Sequence, residues 1–216
     1  MTLTTMLAQL GEGMLSTVSI FALTLLGSLP LGLLIAFGRM SKNGLLRNIA
    51  RVYISIMRGT PLMLQLLVVY FGPYYLLHVG IGSSYRFFAV IIAFVLNYAA
   101  YFAEIYRSGI ESMPRGQYEA AAVLGYSRAQ TFGRIILPQV VKRIVPSVTN
   151  EVITLVKDTS LAFAIAYSEM FTAAKAIAAS QKSMAPFVAA GLFYYIFNFI
   201  VAMVMERIEK SMRYYQ

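Results

Sequence analysis

The sequence predicts an all-α integral membrane protein with about five transmembrane helices. Three observations predict it. Apolar residues make up 59% of the 216-residue chain and charged residues 12%, half the charged fraction of an ordinary soluble domain. Mean hydropathy is +0.68. The apolar residues gather into five runs of roughly spanning length, and the basic residues cluster between alternate runs. Five helices of ~20 residues leave room for loops but not for a second domain.

The first run covers residues 16–38 and contains Gly27, Pro30 and Gly32. Such residues are tolerated in a span when neighbouring groups satisfy the backbone. Residues 1–12 have no basic segment and the run exceeds a signal-peptide core, so it is expected to stay as an anchor. The second run, 61–77, opens on Pro61, a residue suited to the first helical position. The third is 87–105. The fourth starts after Pro138 and runs through Ile153 towards Val156, and the fifth is 186–205. A sixth apolar stretch, 161–166, is too short to span and reads as a re-entrant or interfacial turn.

Charge fixes the expected orientation. Arg39, Lys42, Arg47, Arg51 and Arg58 lie between spans one and two. Arg107, Arg115, Arg128, Arg134, Lys142 and Arg143 lie between three and four, and Arg207, Lys210 and Arg213 follow span five. These segments hold 14 of the 18 basic residues, which marks them as cytoplasmic. Five spans then place the N-terminus outside and the C-terminus inside. The net charge of +9 is accounted for by this bias and does not require nucleic acid. Cysteine is absent and His78 is the only histidine. Disulfides, iron–sulfur clusters, thiolate zinc sites and multi-histidine metal sites are therefore excluded.

The connector between spans three and four, 111–138, is too long for a plain loop. It reads as helix, turn, helix. Residues 117–124 are rich in helix formers, Gly125 can supply the left-handed residue that ends them, and Ser127 can cap the second helix. That second piece, 128–137, is expected to stop at Pro138. Short helices at a cytoplasmic face suit docking into a partner's groove. Lying flat on lipid is the alternative.

Glu119-Ala120-Ala121, then Gly125, then Ile135-x-Leu137-Pro138 resembles the EAA loop of ABC importer permeases at every fixed position. Met57-Arg58-Gly59-Thr60-Pro61-Leu62 with Gln65, and Leu155-x-Lys157-Asp158-Thr159-Ser160-Leu161, resemble segments of the polar amino acid permease subfamily. The resemblance implies a type I importer permease fold with one permease domain over 14–208 and the coupling loop 111–138 within it. It implies a bacterial cell membrane, a second permease subunit, identical or similar, and an extracytoplasmic substrate-binding protein. It also implies a cytoplasmic ATPase subunit whose cleft receives Glu119, Ala120, Ala121 and Gly125. The glutamate either caps a helix end or pairs with a basic residue of that ATPase. ATP and magnesium belong to the partner, because this chain has no phosphate-binding G-x-x-x-x-G-K-[ST] motif and no residues left to build the domain around one. No cofactor is expected here.

Ionisable residues at membrane depth are costly and are functional candidates by default. Glu151 lies ~15–20 Å along span four from its cytoplasmic end, near the midplane, beside Asn150. Asn97 reaches a similar depth on span three, and Gln65 sits in the inner half of span two. These four could line a substrate pathway, with Glu151 receiving an α-ammonium or a cationic side chain. A helix–helix hydrogen bond is the plain alternative. For Glu104 an ion pair with Arg107 is expected. Lys157, Asp158, Thr159 and Ser160 suggest a helix break supporting an outer gate. The expected function is import of a polar amino acid, with a tilt towards a basic one, by alternating access. A permease of the same superfamily for another small solute is the runner-up. A secondary transporter lacks its usual repeats, and a membrane-embedded enzyme lacks catalytic groups.

Overall fold

The computed structural model describes residues 2–212, and Arg213 lies outside them. Every element is helical among the described residues. Three helices are long and apolar enough to cross a membrane alone, and five spans result if each of two bent helix pairs is one.

Helix α1 runs from Leu3 to Arg39, so it starts well before the run at 16–38. At 1.5 Å per residue it is ~55 Å long, against a hydrocarbon core of ~30 Å. The early start has a packing cause. Met6 and Leu10 are buried against Met170, Ala174 and Ile177, and the Thr2 hydroxyl accepts from the Thr5 amide. Further along, the buried Thr17 accepts from the Met170 amide (3.3 Å), and α1 then presents Thr24, Ser28 and Gly32, all buried, mainly to α4 (Tyr85–Glu111). Small side chains let two spanning backbones approach closely. A Cβ added at Gly32 would fall 2.9 Å from Phe102 Cβ and 3.0 Å from the Ala99 carbonyl oxygen. Backbone cannot yield as a side-chain tip can, so Gly32→Val should force the pair apart at a cost of about 1–3 kcal/mol. Lower thermal stability of the purified protein in detergent is the check.

Helix α2 (Gly44–Gly59) was not expected, because the basic segment between spans one and two reads as a loop. Asn43 caps it through the amides of Leu45 and Leu46. It meets α3 (Leu62–Leu77) at 109°. The corner is dictated locally: a residue before proline is pushed to extended backbone, and Thr60 is extended (φ −125°, ψ 149°). The span α3 and the span α4 occupy the expected places.

After α4 comes α5 (Arg115–Val123). Ser127 and Gln130 form a reciprocal capping box opening α6 (Arg128–Gln130). The second piece does not stop at Pro138. A π-helical turn (Thr131–Ile136) carries it into α7 (Leu137–Asp158), where Pro138 stands in the first turn. Proline is harmless there because first-turn amides lack intrahelical partners. The stretch read as 161–166 is a 3₁₀ segment, Thr159–Ile165, ended by Ala166 in the left-handed region (φ 52°). It leads to α8 (Met170–Gln181), also not expected, at 57° to the preceding rod. The last span, α9 (Ala185–Ser211), closes the fold. The main core joins α1, α3, α4, α7 and the 3₁₀ segment through Ile20, Leu66, Phe94, Leu155 and Ile165.

Candidate substrate cavity and coupling segment

The corner between α2 and α3 creates an unmet acceptor. In a continuous helix the Met57 carbonyl would receive the amide of residue 61, but Pro61 has no N–H. Two side chains supply the missing donors. Gln65 Nε2 donates to the Met57 oxygen at 2.9 Å and Asn97 Nδ2 donates to it at 3.1 Å. Asn97 Nδ2 also donates to Gln65 Oε1 (2.9 Å), and Gln65 Nε2 to Thr60 Oγ1 (2.8 Å). Asn97 is 4% exposed. Gln65 and Asn97 are therefore tied to the backbone of the corner rather than free in a pathway, although Asn97 still forms part of a cavity wall.

That cavity has a volume of about 310 Å³, at the small end of the range for small-molecule sites. Thr60, Pro61 and Leu62 of the corner form one side. Asn97, Tyr98 and Tyr101 of α4 form the second. Glu151, Thr154 and Asp158 of α7, with Leu161, form the third. On α7 the spacing i, i+3, i+7 puts two carboxylates and a hydroxyl on one face. The Tyr98 hydroxyl donates to Asp158 Oδ2 at 2.7 Å. Glu151 makes no hydrogen bond or ion pair among the described residues. Outside the cavity wall, the Arg58 guanidinium lies 5.2 Å from the centre of the Tyr101 ring, within cation–π range.

The other proposed pathway and gate residues separate from this site. Asn150 is exposed and outside the cavity wall. Lys157 is also exposed. Thr159 Oγ1 donates to the Val156 carbonyl (2.7 Å) and Ser160 Oγ to the Lys157 carbonyl (2.8 Å). They satisfy backbone where the α-helix tightens to 3₁₀. Glu104 pairs with Arg107, which also reaches Glu111. Tyr98 lies, as its depth beside Asn97 on span three suggests, in the cavity wall, whereas Tyr101 and Thr154 were not singled out as site residues. The repeat Glu151, Thr154, Asp158 was the available signal.

At the basic end of the molecule, α5 ends in a Schellman pair. The Gly125 amide donates to the Ala122 carbonyl (3.0 Å) and the Tyr126 amide to the Ala121 carbonyl (3.0 Å). Gly125 has φ 79°, a conformation that favours glycine. Ala121 is buried, and Gln117 and Gln139 exchange two 2.8 Å hydrogen bonds that bind α5 to α7. Glu119 stands inside the helix, exposed, so it caps no helix end. Ala120 is exposed beside it. Val123 and Leu124 are 89% and 74% exposed, leaving an apolar tip without a partner.

The chain resembles known proteins along most of its length. Residues 28–214 match the profile of the binding-protein-dependent transport system inner membrane component family. A putative glutamine transport system permease protein of Rickettsia conorii is 36% identical over 202 residues, 93% of this chain and 91% of that protein. The arginine transport system permease protein of Bacillus subtilis is 36% identical over 203 residues, with 94% and 91% covered. A crystal structure of an amino acid ABC transporter with histidines includes a chain that superposes with a TM-score of 0.88 at 28% identity, covering 98% of this chain and all of that one. The fold is that of the type I ABC importer permeases, and the protein works as a transport subunit beside a separate ATPase. The chain belongs to the family of binding-protein-dependent transport system inner membrane components.

Proposed function

We propose that this subunit imports a polar amino acid, and that the cavity between the α2–α3 corner, α4 and α7 is where the solute is held in transit. The observation that carries this reading is Glu151, a carboxylate on a cavity wall with no hydrogen bond or ion pair among the described residues, reached by the Arg58 charge only from a distance and one α7 face-repeat from Asp158. A carboxylate at membrane depth needs a counter-charge, and the ammonium of an amino acid supplies one. The relatives' glutamine and arginine substrates support the class and leave the side-chain charge open. Two carboxylates in one small cavity favour a cationic solute.

The N-terminus lies outside and the C-terminus in the cytoplasm, in keeping with the basic residues at the α5 end. One permease domain covers 14–208, with 111–138 as its coupling loop. Glu119, Ala120, Ala121 and Gly125 sit at the α5 tip that a cytoplasmic ATPase receives, the exposed Val123 and Leu124 giving that contact its apolar core. Ser147, Asn150 and Lys157 form an exposed polar row on a spanning helix. Lipid would not accommodate it. A second permease subunit covers this row, so that Asn150 and Lys157 face the pathway between subunits. The turn at Thr159 and Ser160 holds Asp158 at the outer rim. An extracytoplasmic binding protein delivers the solute there, and the cavity opens alternately to each side as the ATPase cycles.

Competition for uptake tests the substrate class. The permease is reconstituted in vesicles with its ATPase and binding protein, and arginine, lysine, glutamine, glycine betaine and a sugar compete against a labelled amino acid. Arginine and lysine should compete best and glutamine measurably. Betaine, whose quaternary ammonium is charged but has no N–H to donate to a carboxylate, and the sugar should not. Equal competition by betaine would move the chain to the osmolyte permeases of the same family.

A further inference from the structure

Helix α2 carries chemistry that neither the cavity nor the coupling segment uses. At about 100° per residue, its exposed apolar residues fall on one side of the helix and its arginines on the other, next to the buried residues. Ala50 and Ile54 are buried against the bundle. Leu45, Ile49, Val52 and Ile56, at i, i+4, i+7 and i+11, form a continuous apolar strip. These four are 71%, 58%, 56% and 52% exposed. Arg47, Arg51 and Arg58 fall together on the opposite side. Arg58 is engaged by Tyr101, while Arg47 and Arg51 are exposed and have no acidic neighbour along the chain. The sequence holds no Asp or Glu between Glu12 and Glu104. The 109° corner with α3 turns α2 close to the plane of the bilayer that α3 crosses.

From this arrangement we infer that α2 is a binding surface for anionic phospholipid headgroups. The exposed apolar strip enters the acyl boundary, and Arg47 and Arg51 hold phosphates and the extra negative charge of the headgroup. A helix lying in the interface is recognised by this division of faces, and a juxtamembrane basic cluster adds affinity for anionic lipid. Charge complementarity selects the occupant: a zwitterionic surface would satisfy the strip but leave the arginines without their preferred partner. The site has a structural consequence, because the last turn of α2 contributes the Met57 carbonyl that Gln65 and Asn97 hold. Anionic lipid on α2 therefore steadies one wall of the cavity. The inference rests on the membrane placement and not on the identity of the solute.

Photoactivatable phosphatidylglycerol tests it without any transport measurement. The full chain, with its ATPase, is placed in phosphatidylcholine vesicles containing a trace of either photoactivatable phosphatidylglycerol or photoactivatable phosphatidylcholine, and labelled peptides are mapped. Phosphatidylglycerol should label residues 44–59 in preference to phosphatidylcholine. The preference should fall roughly fivefold for each arginine removed in R47Q and R51Q and weaken with added salt. Equal labelling by the two lipids would overturn the inference. So would loss of the ATPase from the R47Q/R51Q complex with lipid labelling unchanged, which would make this a protein-docking face. Cross-linking of Ile49→Cys between two copies with no lipid label on α2 would assign the strip to a second subunit instead.

Discussion

Replacing Gly125 with valine should leave the protein folded in the membrane while separating ATP hydrolysis from uptake. The position has φ 79°, and no atom lies within 4 Å of where a Cβ would stand. The penalty therefore comes from backbone conformation and not from a clash. A β-branched residue held there costs about 1–3 kcal/mol, and the turn can escape that cost by giving up the bonds to Ala121 and Ala122. The tip bearing Val123 and Leu124 then leaves its position on the end of α5. A shift of that size corresponds to a roughly 5- to 150-fold change in an equilibrium, here between the docked and undocked tip. Uptake per ATP hydrolysed in vesicles should fall within that range, while membrane abundance stays near wild type. Gly125→Asn should be milder, since asparagine tolerates the left-handed region. Normal uptake by the valine variant would remove the coupling role from this turn.

Glu151→Gln should abolish most transport with little change in stability. Glutamine keeps the size and hydrogen-bonding reach of the side chain and removes only the charge. If Glu151 merely joined helices by a hydrogen bond, the amide would serve nearly as well. If it meets an ammonium, the loss is that of a charge-assisted contact, about 1.5–3 kcal/mol, or roughly 10- to 150-fold in uptake at limiting substrate. The effect should fall chiefly on the apparent KM if binding in the cavity is weakened equally throughout the cycle. Asp158→Asn should act differently, because its carboxylate already accepts from Tyr98. Its loss should be partly reproduced by Tyr98→Phe, which removes the donor and leaves the ring. Uptake kinetics of the three variants at matched expression separate these contributions.

The spans were legible because hydropathy over ~20 residues integrates many weak preferences, and α4, α7 and α9 lie where the apolar runs placed them. The turn at Gly125 and the cap at Ser127 were legible because each is decided within a few residues. Helix α2 escaped because its average composition is nearly neutral, although Leu45, Ile49, Val52 and Ile56 carry a helical period. Helix α8 escaped because twelve residues including Lys175 are too short and polar to count as a span. The full length of α1 depended on Met170 and Ile177, far away in the chain. Depth arithmetic placed Asn97, Asn150 and Glu151 at comparable levels and Gln65 in the inner half, but said nothing about facing. Neighbours on a helix point about 100° apart, so Glu151 can face the cavity while Asn150 beside it does not. Gln65 and Asn97 were drawn to the corner by the carbonyl that Pro61 leaves unmatched, a demand visible only once α2 and α3 are known to meet there.

From Arg128 to Ile165 the chain advances as one rod, interrupted before the 3₁₀ segment by the π-helical turn at Thr131–Ile136 and by Pro146 inside α7. Glu151 stands ~35 Å from the knuckle at Ser127 along that rod. A tilt imposed at the α5 end therefore reaches the acidic wall as a sweep of the shaft, softened at the wide turn and at Pro146, where the helical ladder lacks one amide. Under the coupling proposed above this shaft works as a crank, and the places to jam it without touching either end are residues 131–136 and Pro146.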